Sequence, residues 1–194
     1  MTKRIIGVLA LQGDFAKHME MLKGLHEKVM EVRKPEDLDS CDALILPGGE
    51  STTIRHQMYF IGLFDKVQEF AKKKPVFGTC AGLILMSKEI KDEQEKTLGL
   101  LDIIVERNAF GRQADSFKAE VQVELESKKE MTVPGFFIRA PRICSCDKKV
   151  KILGHFGKEP VLVQEGHLLG ATFHPELTGD TSIHRYFLSL LPPK

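Results

Sequence analysis

Cys80 stands at the centre of Gly78-Thr79-Cys80-Ala81-Gly82, between the apolar run Pro75-Val76-Phe77 and a second apolar run, Leu83 to Met86. A buried strand, a small-residue turn and a helix in that order form a nucleophile elbow, which lifts one side chain out at the edge of a sheet. Glycines two places before and two after the cysteine let the backbone turn sharply and let the helix approach the strand. A cysteine at a helix N-terminus lies near unsatisfied N–H groups and the positive end of the helix dipole, which favours its thiolate. The pattern offers Cys80 as a nucleophile. The plain alternative is a small core residue.

A thiol nucleophile needs a base and a group to orient that base. Of the seven histidines, His18, His26, His56, His155, His167 and His184 lie in polar or helical contexts. His174 differs, because it follows the apolar run Leu169-Gly170-Ala171-Thr172-Phe173 and precedes Pro175-Glu176. It is expected at a strand end, on the rim where sheet-based sites form. Glu176, two residues on in an extended segment, can face the same side and hold one ring nitrogen while the other faces the sulfur. Pro175 disfavours a helix at His174. The alternative is an exposed histidine in a turn beside a solvated glutamate.

The third element is Leu46-Pro47-Gly48-Gly49-Glu50-Ser51. A glycine pair at a strand end exposes backbone N–H groups that can stabilise an oxyanion, and the N–H of Ala81 would be the second donor. Such glycines can also cradle a phosphate, or form a plain turn. The chain has no Walker lysine and no G-x-G-x-x-G, so a nucleotide site is weakly supported. Cys144 and Cys146 have no second ligand pair at zinc-site spacing and are expected to be structural; no metal site is expected.

The elements that must position these groups read as one α/β domain over residues 1–194. With 28 basic and 27 acidic residues the formal charge is +1, so no large field favours nucleic acid or an anionic membrane. Four cysteines are too few for a disulfide scaffold at this length. No signal peptide and no run of membrane-spanning length is read, so a cytoplasmic location is expected. Strands are expected at 5–11, 29–32, 43–46 and 76–77, with helices from Asp14, as N-cap, to about His26, from about residue 50, over 63–73, and from Leu83 to Ile90. Residues 34–40 read as a polar connector. Alternation of this kind argues a largely parallel core sheet. Beyond Leu98 six further strands are expected, at 103–105, 117–123, 135–138, 150–156, 161–164 and 168–173, several in antiparallel pairs. A closing helix at 182–191 should turn Ile183, Phe187, Leu188 and Leu191 inward.

Gly78-Thr79-Cys80-Ala81-Gly82, the Pro-Gly-Gly loop and His174-Pro175-Glu176 together resemble the class I, or triad, glutamine amidotransferases. Further blocks narrow the likeness: Leu11-Gln12-Gly13-Asp14, Leu46 to Thr53, Val105-Glu106-Arg107-Asn108-Ala109-Phe110-Gly111-Arg112-Gln113, Phe137-Ile138-Arg139-Ala140-Pro141 and Phe173 to Thr178. They resemble the glutaminase subunits of pyridoxal 5′-phosphate synthase and run from near the first residue to near the last. The resemblance implies a three-layer, flavodoxin-like fold with a mixed, largely parallel central sheet flanked by helices. It implies hydrolysis of L-glutamine to glutamate and ammonia by a Cys80–His174–Glu176 triad through a glutamyl thioester, with oxyanion donors at Gly49 and Ala81. It places Gly49, Glu50, Ser51, Arg107, Ile138 and Arg139 around glutamine, and Gln12 near the oxyanion region and a partner contact. The implied partner is a separate (β/α)₈-barrel synthase subunit that takes the ammonia for vitamin B6 synthesis. No cofactor of this chain's own is implied. A different cysteine hydrolase such as a peptidase, or a non-catalytic regulatory subunit, are the competing readings.

Overall fold

The computed structural model of the chain describes residues 4–109, 116–125 and 130–192. Phe110, Gly111, Arg112 and Gln113 of the arginine-containing block lie outside the described residues.

Four short apolar runs form the parallel heart of the molecule. β1 (Ile5–Leu9), β3 (Ala43–Leu46), β4 (Val76–Thr79) and β12 (Leu168–Ala171) lie side by side and parallel, and β2 (Lys28–Val32) adds to the outer side of β1. These strands are apolar at nearly every position because both sheet faces are covered. Alternation sends Ile6, Val8, Ala43, Ile45 and Phe77 to one core and Leu9, Leu44, Leu46 and Val76 to the other. The first core is closed by α1 (Phe15–Gly24) and α5 (Ser182–Ser189), the second by α2 (Ser51–Phe60), α3 (Leu63–Ala71) and α4 (Ala81–Met86). Helix α3 buries the stripe Leu63, Phe64, Val67, Phe70 and Ala71, the period of an amphipathic helix.

The sheet then continues with reversed polarity. β11 (Glu159–Glu165), β10 (Lys151–Phe156), β7 (Ser116–Glu124) and β8 (Glu130–Ile138) extend it antiparallel beyond β12, giving nine strands in the order β2-β1-β3-β4-β12-β11-β10-β7-β8. The architecture is the three-layer mixed sheet expected, with its parallel half at the functional end. No helix among the described residues is long and apolar enough to cross a membrane.

Several elements depart from expectation. Residues 87–90 do not prolong α4: they form β5 (Ser87–Ile90), parallel to β6 (Leu101–Glu106), which pairs in turn with β9 (Arg142–Cys146) in a separate three-stranded sheet. The Ser87 hydroxyl bonds the Ile84 carbonyl, and pairing with β6 overrides the helical spacing. Strand β9, which carries Cys144 and Cys146, was not expected. Pro35–Ser40 is a 3₁₀ turn rather than a connector, with Leu38 buried and the Asp37 carboxylate accepting from the N–H groups of Arg33 and Lys34. Asp14 makes no side-chain cap to α1; its N–H bonds the Gly48 carbonyl instead. In α5, Ile183 and Phe187 are buried, whereas Leu188 is partly so.

His184 is fully buried on α5. Burial pulls its ring down to about 3, the neighbouring His18 adding to the shift and Glu176 opposing it. The unfolded chain takes up this proton near the ordinary histidine pKa of 6.5, and the folded chain holds it off until about 3. Folding stability therefore falls as pH falls through that window.

Two outcomes are expected. Gly82→Ala would drive a Cβ into the Leu46 carbonyl, which is backbone; urea unfolding should show a loss of about 2 kcal/mol or more, and an unchanged midpoint would mean that α4 is not pinned to β3. His184→Gln should flatten the dependence of unfolding free energy on pH between 6 and 4, by up to about 1.4 kcal/mol per pH unit. Parallel curves for variant and wild type would show that His184 is protonated in the folded state.

Candidate active site

Four parallel strands deliver the site, all from their carboxyl ends, where open α/β sheets bind ligands. Gln12 and Asp14 follow β1, Gly49 to Ser51 follow β3, Cys80 follows β4 and His174 follows β12. With Ile84, Arg107, Asn108, Ile138 and Arg139 they line one cleft of about 350 Å³. Every residue expected around the nucleophile from sequence is in this cleft except Ala81 and Glu176. Ala81 is the first residue of α4, so its N–H has no partner within the helix. Glu176 lies behind His174.

The elbow at Cys80 is real, and its special dihedral belongs to the cysteine. Cys80 has φ 48° and ψ −103°, a conformation rare for a side-chain-bearing residue and typical of strained functional positions. It is held there from both sides: its N–H bonds Ala171 O at 2.9 Å, and its carbonyl accepts from Ile84 N at 3.1 Å. The flanking glycines serve close approach. A Cβ at Gly78 would meet Gly82 carbonyl carbon and Met86 sulfur at 2.6 Å. Cys80, 7% exposed, directs its thiol to Ile138 O at 3.7 Å.

His174 is held equally firmly. Its N–H donates to Phe136 O at 2.7 Å, through a single antiparallel bridge to β8. Its ring is 2% exposed, and Nδ1 lies 2.7 Å from Glu176 Oε1. Glu176 reaches it from the short 3₁₀ turn Pro175–Leu177 rather than from an extended segment. Burial alone would lower the His174 pKa, but the hydrogen bonds and charges of Cys80 and Glu176 reverse this and raise it to about 10. Burial likewise opposes the Glu176 charge; the His18 and His174 rings outweigh it and hold the carboxyl well below the usual range. His174 thus stands between a buried carboxylate and the Cys80 sulfur, with its charged form favoured.

Asp14, which sequence reading gave only a capping role, places Oδ2 3.7 Å from the same Nδ1. Asp14, His174 and Glu176 present three ligand-type atoms within 4.8 Å of one another. The His174 nitrogen among them is already bonded to Glu176, so the grouping is accounted for by the hydrogen bond.

The loop after β3 is fixed by its neighbours. Gln12 Oε1 accepts from the Glu50 N–H at 2.8 Å, and a Cβ at Gly49 would meet that oxygen at 2.5 Å. The Glu50 carboxylate caps α2, taking the N–H groups of Thr52 at 3.1 Å and Thr53 at 2.7 Å. Burial works against its charge, but these donors, the Thr53 hydroxyl and nearby Arg107 lower its pKa. Ser51 is buried as the first residue of α2.

The two arginines differ. Arg107 lines the cleft and is also tied down: it donates to Thr52 Oγ1 at 2.9 Å and pairs with Glu95 and Glu93, while Arg55 shares Glu95. Arg107 thus lines the cleft with its guanidinium already engaged by ion pairs. Arg139 is exposed and makes no ion pair among the described residues. Its φ is 44°, and that of Asn108 is 48°. Cys80, Asn108 and Arg139 are three of the five non-glycine residues with positive φ among the described residues, and all three face this cleft. Asn108 was signalled by its type, since asparagine tolerates this backbone. The strain at Arg139 had no signal.

Sequence reading also passed over His18 and His184. Both rings are completely buried. The available signal was spacing: His18 is one turn from Leu22, and His184 three residues from Phe187, each on an inward stripe.

Residues 8–191 match the SNO glutamine amidotransferase family. The chain is 47% identical to the pyridoxal 5′-phosphate synthase subunit PdxT of Thermosipho africanus, over 96% of this chain and 98% of that one. It is 48% identical to PdxT of Thermotoga maritima over the same shares. A crystal structure of a glutamine amidotransferase superposes with a TM-score of 0.89 at 46% identity, covering 96% of this chain and 98% of that chain. The structure of PurLQS from Thermotoga maritima gives 0.72 at 18% identity, over 98% and 100% of the two chains, a likeness of fold alone. Since the family match takes in every strand end that builds the cleft, this chain belongs to the SNO glutamine amidotransferase family.

Proposed function

We propose that this chain hydrolyses L-glutamine to L-glutamate and ammonia through a glutamyl thioester on Cys80, and that the ammonia goes to a (β/α)₈-barrel synthase subunit for assembly of pyridoxal 5′-phosphate. The observation that carries this reading is the strained Cys80 facing a buried His174–Glu176 pair across one cleft. Relatives named PdxT at 46–48% identity over nearly the whole chain support the substrate and the pathway. The four cysteines at 41, 80, 144 and 146 are free thiols, as suits the reducing cytoplasm in which we place the enzyme.

The chemistry follows from the electrostatics. Cys80 sulfur, as thiolate, bonds to the side-chain amide carbon, and the carbonyl electrons move to oxygen. The N–H groups of Gly49 and Ala81 receive that oxyanion, a contribution of roughly 3 kcal/mol for one well-placed donor. His174, charged at rest, gives its proton to the amide nitrogen as the C–N bond breaks, and ammonia leaves. Acylation removes the negative charge from sulfur. One of the contributions that raised His174 goes with it, so the ring becomes a base suited to taking a proton from water. The resulting hydroxide attacks the thioester, glutamate departs, and the thiolate and imidazolium return. Glu176 keeps the proton on Nδ1 and the other nitrogen toward sulfur.

The cleft suits a free amino acid. Arg139 and Arg107, both on the cleft wall, offer guanidinium groups for the α-carboxylate, and the polar wall of Glu50 and Ser51 receives the amino end. At about 350 Å³ the space is sized for one residue rather than an extended peptide.

With the synthase subunit present, Cys80→Ala should lower glutamate production from glutamine by about 10³-fold or more. Unchanged release would remove Cys80 from the mechanism, and silence of the wild type with its partner would favour a scaffold. Arg139→Ala should raise the KM for glutamine about tenfold with a smaller effect on kcat. Arg107→Ala should do the same and also lower Tm by a few degrees, because Glu93 and Glu95 lose their shared cation. A KM unmoved in both variants would place the α-carboxylate elsewhere.

A further inference from the structure

Glu176 uses one oxygen on His174. The other, Oε2, is buried and has no well-formed hydrogen bond in the resting geometry. What faces it is His18 Nε2, at 3.4 Å, from the buried side of α1. The same nitrogen is 3.1 Å from the hydroxyl of Thr79, the residue before the nucleophile. On the far side of the ring, His18 Nδ1 lies 3.0 Å from His184 Nε2 on α5. A chain of polar groups with no exposed member thus runs from α5 through α1 to the triad.

The unpartnered end of this chain sets its proton positions. His184 Nδ1 is buried without a hydrogen-bond partner. A bare lone pair there costs less than an orphaned N–H, so the proton of neutral His184 is on Nε2 and is donated to His18 Nδ1. His18 then carries a proton on Nε2, the nitrogen that lies 3.1 Å from Thr79 Oγ1 and 3.4 Å from Glu176 Oε2. One ring links the carboxylate behind the base to the strand end that holds the nucleophile.

We propose that His18 is a positioning residue of the glutaminase reaction, its Nε2–H holding the second oxygen of Glu176 so that His174 stays turned toward Cys80. The proposal rests on the Cys80–His174–Glu176 reading above. Without His18 Nε2 facing it, a deeply buried carboxylate would have His174 alone to support its charge, and its charged form would be disfavoured. A Glu176 that protonates more readily no longer fixes the His174 tautomer. The groups facing His18 are Glu176 from the 3₁₀ turn, Thr79 from β4 and His184 from α5, with Phe77 edge-on. Asp14 faces only the His174 end.

Two polar substitutions separate positioning from packing. His18→Asn retains a group near the Nδ1 position but cannot reach Glu176; His18→Gln can bring an amide N–H to the Nε2 position. Assayed with the synthase subunit, His18→Asn should lose kcat by 10- to 100-fold, with KM for glutamine within about twofold, and the acid limb of its kcat/KM profile should move up by about one pH unit. His18→Gln should stay within a few-fold of wild type with the acid limb in place. Wild-type kcat in a folded His18→Asn, or equal losses in both variants with an unmoved acid limb, would overturn the proposal. Cys80→Ala in the same assay separates the two levels: an active Cys80→Ala defeats the triad reading itself, whereas an inactive Cys80→Ala beside an unimpaired His18→Asn defeats only the role of His18.

Discussion

One backbone position sets the terms for the rest of the molecule. Cys80 has a positive φ that a residue with a side chain adopts only under constraint, and the constraint is tertiary. Its N–H is spent on Ala171 of the adjacent strand, and its carbonyl starts α4 by accepting from Ile84. Helix α4 must then leave the sheet at once and pass close over it. That path is open only because residues 78 and 82 lack side chains, Gly82 lying against the Leu46 carbonyl and Gly78 against Gly82. The geometry at Cys80 and the packing of the second core are one arrangement, in which the strain at Cys80 accompanies burial of Leu83, Leu85 and Met86.

Charge is handled by the same economy of contacts. A carboxylate as buried as Glu176 would ordinarily be neutral. It stays ionised because two imidazoles converge on it. That charge in turn raises His174 against its own burial. Neither group is stable in its charged form alone, and removing either leaves an uncompensated buried charge, which is far more costly than losing the pair. Under the proposed mechanism, coupling of this kind makes His174 responsive, because part of what raises it comes from Cys80 and is lost on acylation.

What was legible in the sequence was whatever the chain encodes within a few residues. The two glycines around Cys80, the Pro-Gly-Gly turn and the His-Pro-Glu triplet are local, and each proved to be at a strand end of the parallel sheet. Residues 87–90 were not legible, because Ile90 continues the helical spacing begun at Leu83, and only pairing with Leu101 to Val105 decides for a strand. Strand β9 was hidden for a similar reason: Arg142-Ile143-Cys144-Ser145-Cys146 buries one residue, Ile143, and gains its identity from β6. His18 and His184 were hidden because a histidine among lysines and arginines on a helix looks solvated. Their partners stand 61 and 166 residues away along the chain, beyond the range of any local pattern.

In the proposed mechanism, the glycines of the β3 loop couple the base to the oxyanion donor. A Cβ at Gly48 would run into the His174 ring, and one at Gly13 would run into the Gly48 carbonyl. The loop is thus pressed between the turn after β1 and the imidazole, with Gln12 bonding its next N–H at Glu50. The Gln12–Asp14 turn, the Gly48-Gly49 loop and the His174 ring are thus packed too closely for any of these glycines to carry a side chain. The wall that would present the Gly49 N–H to an oxyanion is the wall that keeps His174 in register with Cys80. Glycine at 13, 48 and 49 is therefore a requirement of packing as well as of turn geometry, and in the proposed mechanism the base and the oxyanion donor share a single support.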